Sequence, residues 1–365
     1  MSDPPVIGQH AIHGGDVYKS ARHLGVSPDE ILDFSASLNP LGPPLNLLQH
    51  LSAVMQRMVH YPEPFCALLK ETLARRHGLT PEHIMVGNGS TQLIYLIPRV
   101  LNPRRVLIVA PAFSEYERAA EVCGCELMYD VAGPSNDFIP TPEQAAGWLH
   151  SGADMIFIGN PSNPVGSLVP RDTLDSVAAR VSKHNMILVV DEAFIDFRPG
   201  MSLLEQGPVP ENVIVIRSFT KIYALPGLRL GYLVANPSLT ARLESFQEPW
   251  SVNFLAQAAG LYCLQNDDYI ARSVAFVDRE REIMRTDLTN LGGFSLFPSG
   301  VNYLMARMED PHLDADLLQE RIMKDKILVR NCASFRGLSK SYVRMAVRRR
   351  DENERLVRAI ERALR

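Results

Sequence analysis

Short runs rich in valine, isoleucine and leucine recur through the middle of the chain: VLIVA (106–110), MIFIG (155–159), ILVVD (187–191), VIVIRS (213–218) and LRLGYLV (228–234). Their cores do not alternate apolar with polar, so each predicts a strand covered on both faces. Stretches of helical period, such as EYERAAEVCG and RDTLDSVAARVSKHN, lie between several of them. Buried strands joined by helical crossovers predict an α/β fold on a mostly parallel sheet. The link from VIVIRS to LRLGYLV has no room for a crossover helix, so one antiparallel pair is expected.

Residues 253–291 read as one long helix, starting after PWSVN and stopping at LGG. Beyond it, YLMARM (303–308), ILVRN (327–331) and YVRMAV (342–347) predict strands of a smaller α+β unit. The proline- and glycine-rich start, through SLNPLGPP, reads as an arm. The expected division is an arm at 1–45 that closes on substrate and packs with the small domain, a large ligand-binding domain at 46–252 and a small C-terminal domain at 253–365.

Composition narrows the function. The 365 residues are 46% hydrophobic and 21% charged, a globular balance, and suit one large and one smaller core. A formal net charge of −4 gives no reason to expect nucleic acid or an acidic membrane surface. The basic run at 348–350 is followed at once by Asp351 and Glu352, the pattern of a solvated helix face. Five scattered cysteines match neither a zinc nor a redox spacing and read as idle thiols. The start MSDPPVIGQHAIHGG lacks a basic-then-apolar leader, and no apolar run approaches the roughly 20 residues of a membrane span, so a cytoplasmic protein is expected.

The chemistry gathers at strand ends, where open α/β sheets bind ligands. NPSNPVG (160–166) follows MIFIG, Asp191 closes ILVVD, and Ser218 and Lys221 follow VIVIRS. Taken singly, these are a turn, a strand-end cap and surface polar residues. Together with a lysine they describe a site for pyridoxal phosphate. Lys221 is the amine that condenses with the aldehyde. Asp191 suits the carboxylate that keeps the pyridine nitrogen protonated, and Asn163 is a donor for the ring oxygen. The phosphate needs N–H groups at a helix start, hydroxyls and a cation. GNGSTQLIYLI (87–97) offers the start with Gly89, Ser90 and Thr91, while Ser218 and Arg229 add a hydroxyl and a charge. GNGSTQ lacks the third glycine of a dinucleotide fingerprint.

With these motifs in this order, the chain resembles the fold-type I, aspartate-aminotransferase-like enzymes over nearly its whole length. Within them it is similar to the branch holding histidinol-phosphate aminotransferases and the threonine-phosphate decarboxylases of cobalamin biosynthesis. HGG (13–15), DFSASLNPLG (33–42), DEAFIDF (191–197), PGLRLGY (226–232) and PWSVN (249–253) carry the likeness to the decarboxylases. The resemblance implies a seven-stranded, mostly parallel sheet in the large domain. It also implies that Phe113 stacks on the cofactor ring and that Tyr61 reaches the cofactor phosphate of the neighbouring subunit, making a homodimer part of the site. Where the aminotransferases have a tyrosine after Asp-x-Ala, this chain has Phe194, as the decarboxylases do.

At the substrate end the resemblance assigns Arg344 to the α-carboxylate and Arg330 to the substrate phosphate. His13 is matched to a phosphate contact from the arm, against the plainer reading of a flexible arm residue. Ser37 falls in a loop expected to close over substrate. The implied reaction is decarboxylation of L-threonine O-3-phosphate to (R)-1-amino-2-propanol O-2-phosphate, with no metal required. Transamination of histidinol phosphate, or decarboxylation of an analogue such as serine phosphate, is the alternative.

Overall fold

A computed structural model describes residues 14–365 of the chain. Its strands, in chain order, are β1 (Leu32–Asp33), β2 (Ile84–Asn88), β3 (Arg105–Ala110), β4 (Glu126–Val131), β5 (Met155–Gly159), β6 (Ile187–Asp191), β7 (Val213–Ser218) and β8 (Leu230–Val234), followed by β9 (Phe294–Leu296), β10 (Tyr303–Met308), β11 (Ile327–Leu328), β12 (Arg330–Asn331) and β13 (Tyr342–Ala346). Seven of them form one sheet in the order β2-β8-β7-β6-β5-β3-β4. The five strands from β7 to β4 are parallel, as the apolar runs predict.

The turn from β7 to β8 is antiparallel, as expected, but β8 is also antiparallel to β2, so there are two such pairs rather than one. Pattern reading misses β2 and β4. IMVGN runs straight into the glycine turn of GNGS. β4 is the outer strand, half-exposed along its length, so it lacks a continuous apolar run.

Side chains of the sheet alternate between two cores. Leu107 and Val109 face one, with the helices Ala67–His77, Arg171–Ala178 and Phe254–Leu264. Val106 and Ile108 face the other, with Gly89–Leu101 and Ser114–Val122. This α/β/α sandwich leaves the carboxyl ends of β5, β6 and β7 open on one edge.

The expected long helix is two: Phe254–Leu264 and Asp267–Leu291. The first packs its Ala256, Ala259 and Cys263 into the core of the large sheet. The second runs on to Met284 and Leu288, which belong to the core of the smaller sheet. A chain that serves two cores in succession bends between them. Gly292, at φ 71°, ends the second helix where LGG was read as the stop.

The small sheet is antiparallel, in the order β12-β13-β10-β9. ILVRN is not one strand. β11 pairs in parallel with β1, Leu32 opposite Ile327, and after Val329 β12 turns to pair with β13, Arg330 opposite Arg344. The arm residues Leu32 and Phe34 are thereby buried in the small core, which brings residues 35–37 over the open edge of the large sheet.

Candidate active site

Where β2 ends, the 13-residue helix Gly89–Leu101 begins, with no acidic residue in its first turn to occupy its N–H groups. Gly89 sits at φ 74°, and a Cβ there would lie 2.5 Å from an Arg229 guanidinium nitrogen. Only glycine lets that cation lie over the helix start. A Cβ at Gly231 would lie 2.5 Å from the Ser90 nitrogen, so a second glycine lets β8 approach the same turn. Ser218 caps the short helix Phe219–Ile222, its Oγ accepting from Thr220 N at 3.3 Å. Ser90, Thr91, Ser218 and Arg229 line one cavity together with Asp191 and Lys221.

Asp191 is buried at the end of β6. Its Oδ2 accepts from the Tyr116 hydroxyl at 2.7 Å and its Oδ1 from Ala193 N at 2.9 Å. Burial pushes the carboxyl up; the Tyr116 hydroxyl, the Ala193 N–H and then the Lys221 charge pull it back. Tyr116 is itself held well above its usual range by burial and by Asp191, so it keeps its proton and donates it. Phe113 meets Tyr116 edge-on, with ring centroids 5.8 Å apart, and lines the same cavity.

Lys221 lies deep between the strand ends, with its amine 5.5 Å from the centre of the Phe194 ring. Burial first, then Arg344 and Arg229, bring its pKa down to about 8, against the opposing pull of Asp191. Phe194 is buried and packs edge-on against Tyr303, so no hydroxyl from position 194 enters the site.

The cavity widens to about 360 Å³ between the two domains and residues 35–37 of the arm. Arg344 bridges all three: one guanidinium nitrogen donates to Asn163 Oδ1 and the other to the Ser35 carbonyl at 2.7 Å. With its oxygen taken by Arg344, the Asn163 amide is left with its N–H groups as donors to the cavity. Arg330 is 6% exposed and donates to Ser334 Oγ at 2.7 Å. Burial and the neighbouring Arg344 lower its pKa to about 10, which leaves it charged at neutral pH. Ser37 lines the cavity, buried, with no hydrogen-bond partner for its Oγ among the described residues.

The structure thus brings together Gly89, Ser90, Thr91, Phe113, Asn163, Asp191, Ser218, Lys221, Arg229, Arg330, Arg344 and Ser37. Tyr61 is elsewhere: it is 81% exposed and packs at a tilt against Trp250, with centroids 4.9 Å apart. His13 lies outside the described residues. Sequence reading passed over Tyr116, Ser35, Ser334 and Phe335. Tyr116 follows Phe113 at helical spacing and reads as core, and nothing in the sequence marks the other three.

Comparison with known proteins agrees with this geometry. The family described as aminotransferase class I and II matches residues 29–360. A threonine-phosphate decarboxylase of Salmonella typhimurium is 37% identical, across 97% of this chain and 97% of that protein. The crystal structure of L-threonine-O-3-phosphate decarboxylase from Porphyromonas gingivalis superposes with a TM-score of 0.79 at 28% identity, covering 91% of this chain and 98% of that one. That of histidinol-phosphate aminotransferase from Clostridium acetobutylicum gives 0.83 at 27%, covering 90% and 97%. A match this long, on a chain whose lysine, aspartate and arginines already share one cavity, places the protein in the class I and II aminotransferase family.

Proposed function

We propose that the protein is a pyridoxal-phosphate-dependent decarboxylase of L-threonine O-3-phosphate, yielding (R)-1-amino-2-propanol O-2-phosphate for the linker of the cobalamin nucleotide loop. The observation that carries the reading is the pair Arg330 and Arg344. They stand opposite each other on β12 and β13, both 6% exposed, on the wall of the cavity that holds Lys221. Two buried cations side by side repel one another. A substrate bearing a carboxylate and a phosphate matches the pair, since arginine's planar fork fits either anion.

The residues present fit the cofactor. Arg229 over the glycine-opened helix start, with Ser90, Thr91 and Ser218, makes a phosphate cradle, and Asp191 and Lys221 stand at the far side of the same cavity. Pyridoxal phosphate, when bound, supplies the electron-withdrawing ring that accepts the electron pair of the broken Cα–carboxylate bond. Asp191, held in place by the Tyr116 hydroxyl and the Ala193 N–H, would be the carboxylate that keeps a proton on the pyridine nitrogen. Asn163, its amide fixed by Arg344, would donate to the ring oxygen, and Phe113 would stack on the ring.

Arg344 orients the carboxylate to be lost, and Arg330 anchors the ester phosphate. Lys221, with a pKa of about 8, would be the amine that holds a proton near neutral pH and delivers it to Cα. The arm residues Ser35–Ser37 roof the cavity and exclude water.

The working form is proposed to be a cytoplasmic homodimer. Leu45, Leu48, Val59, Tyr61 and Trp250 are exposed apolar residues, and the hollow between His50, Tyr61, Leu68 and Phe254 suits a second copy that receives Tyr61 at its phosphate cradle. All five cysteines are free, which suits a reducing compartment.

The Clostridium structure, with the higher TM-score, favours a second reading as histidinol-phosphate aminotransferase. Incubating the holoenzyme with threonine phosphate and trapping CO2 separates the two. Stoichiometric CO2 without added 2-oxoacid is expected. Amino transfer from histidinol phosphate to a 2-oxoacid, with no CO2 from threonine phosphate, would overturn the decarboxylase.

A further inference from the structure

We propose that Arg336, Tyr129 and Glu117 form a clasp between the domains that positions the anion-binding loop of the small domain, and so sets how tightly the site holds a phosphate. The inference rests on the reading of Arg330 as the phosphate anchor.

The loop after β12 places three consecutive side chains in three different roles. Ser334 accepts a hydrogen bond from Arg330 at 2.7 Å. The ring of Phe335 lies 5.1 Å from the Arg330 guanidinium and lines the cavity. Arg336 turns away from the cavity and crosses to the large domain. It donates to Glu117 Oε1 at 2.5 Å while its guanidinium carbon lies 3.7 Å from the centre of the Tyr129 ring. Tyr129 donates its hydroxyl to the same Glu117 oxygen at 2.6 Å. Burial and Glu117 push the Tyr129 hydroxyl above its usual range, so it remains a donor.

The next residue makes a second, independent contact. Gly337, at φ 86°, lets the loop press on β4: a Cβ there would lie 2.6 Å from Val131 Cγ1. The half-exposed outer strand of the large sheet thereby acquires an occupant, the loop that carries the partners of Arg330. Glu117 lies in the helix Ser114–Val122, which starts immediately after Phe113. The clasp therefore fixes the distance between the anion subsite and the ring-stacking residue. Arg336 touches neither substrate nor cofactor; it is a positioning residue that works through Ser334, Phe335 and Arg330.

The test is to titrate inorganic phosphate into the holoenzyme, whose cofactor already fills its own phosphate cradle. Arg336→Ala is expected to weaken phosphate about fivefold or more, the scale of coupling between contacting residues. KM for threonine phosphate should rise by a like factor with kcat held within about twofold, because only binding of the anion is loosened. Arg336→Lys should recover part of the loss, keeping the charge and losing the planar stack. Gly337→Ala should reproduce the defect from the other contact. If Arg336→Ala does not fold, Arg336→Gln is titrated in its place.

A merely structural role would lower the thermal midpoint and leave phosphate affinity and KM unchanged. Unaltered phosphate binding in the Arg336 variant, or no phosphate binding by the wild type, overturns the clasp. Failure of the wild type to release CO2 from threonine phosphate overturns only the functional reading, since the phosphate titration does not depend on turnover.

Discussion

The Lys221 amine, lowered to about 8, must lose its proton before it can attack an aldehyde. Reconstitution of apoenzyme with pyridoxal phosphate should therefore accelerate through about pH 8, whereas an ordinary lysine would respond near 10.4. Because the folded pKa lies below the unfolded one, the unfolded chain binds more protons between these values. Apoenzyme stability should rise with pH across that window, and Lys221→Ala should erase the rise and abolish turnover. A reconstitution midpoint near pH 10 would remove burial from the account. Tyr116→Phe deletes the hydroxyl that steadies Asp191 and should let its carboxyl drift further up. A hydrogen bond to a charged group contributes about 1.5–3 kcal/mol, so kcat should fall about ten- to a hundredfold with little change in KM. An unchanged kcat would show that Ala193 and Lys221 suffice. Lys221, Asp191 and Ser218 are legible in the sequence because each interrupts an apolar run at a strand end. Tyr116 is not, since an aromatic at helical spacing inside an apolar stripe looks like any core residue.

Among the elements, the helix Gly89–Leu101 holds the anion cradle, and its geometry depends on the absence of one methyl group. Gly89→Ala would add strain at φ 74° and force Arg229 aside. The expected result is a cofactor dissociation constant raised at least tenfold, about 1.4 kcal/mol, measured by equilibrium dialysis of the holoenzyme. Retained affinity would show that Arg229 does not serve the phosphate. Beneath the site, Arg217 on β7 pairs with the fully buried Glu192 at 3.2 Å and with Asp196 at 2.5 Å. Glu192 also accepts from Ser202 Oγ and Leu203 N, tying the strand end that presents Asp191 to the 202–204 loop. Arg217→Ala leaves the buried Glu192 without that cation, so a loss of about 3–5 kcal/mol in denaturant unfolding is expected. Less than about 1 kcal/mol would mean that water or a rearrangement takes over the carboxylate. Five of the seven strands of the large sheet are readable from apolar runs alone. β4 escapes because an outer strand need not be apolar on both faces, whereas the helix break near residue 265 is marked by the polar run Gln265-Asn266-Asp267-Asp268, a signal that reading 253–291 as one helix passes over.

For the whole molecule, the separation into a seven-stranded and a four-stranded sheet follows from the change between crossover helices and antiparallel strands. The expected packing of the arm on the small sheet rests on no apolar pattern, because its pairing through Leu32 and Asp33 occupies only two residues. If Tyr61 serves the neighbouring subunit, two inactive variants should rescue one another. In a mixed dimer of Lys221→Ala and Tyr61→Ala chains, one site carries both defects and the other carries none. Equal mixing after reversible dissociation should restore about a quarter of wild-type activity, since half of the dimers are mixed and each has one sound site. No recovery, with mixed dimers demonstrated by mass, would place Tyr61 outside the site.

β8 lies between β2 and β7, and this arrangement constrains the order of events during synthesis. Among the described residues β2 finds its only sheet partner in residues 230–234, the last strand of the large sheet to leave the ribosome. Until then the Gly89–Thr91 turn has no Gly231 backing it and no Arg229 above it. A nascent chain ending before Leu230 holds the lysine, the aspartate and the asparagine but no closed phosphate cradle, so cofactor capture must await the antiparallel strand. Such non-local pairings are slow to form and leave strand edges open meanwhile. The enzyme therefore becomes competent for its cofactor late, through a single strand inserted against the direction of its neighbour on either side.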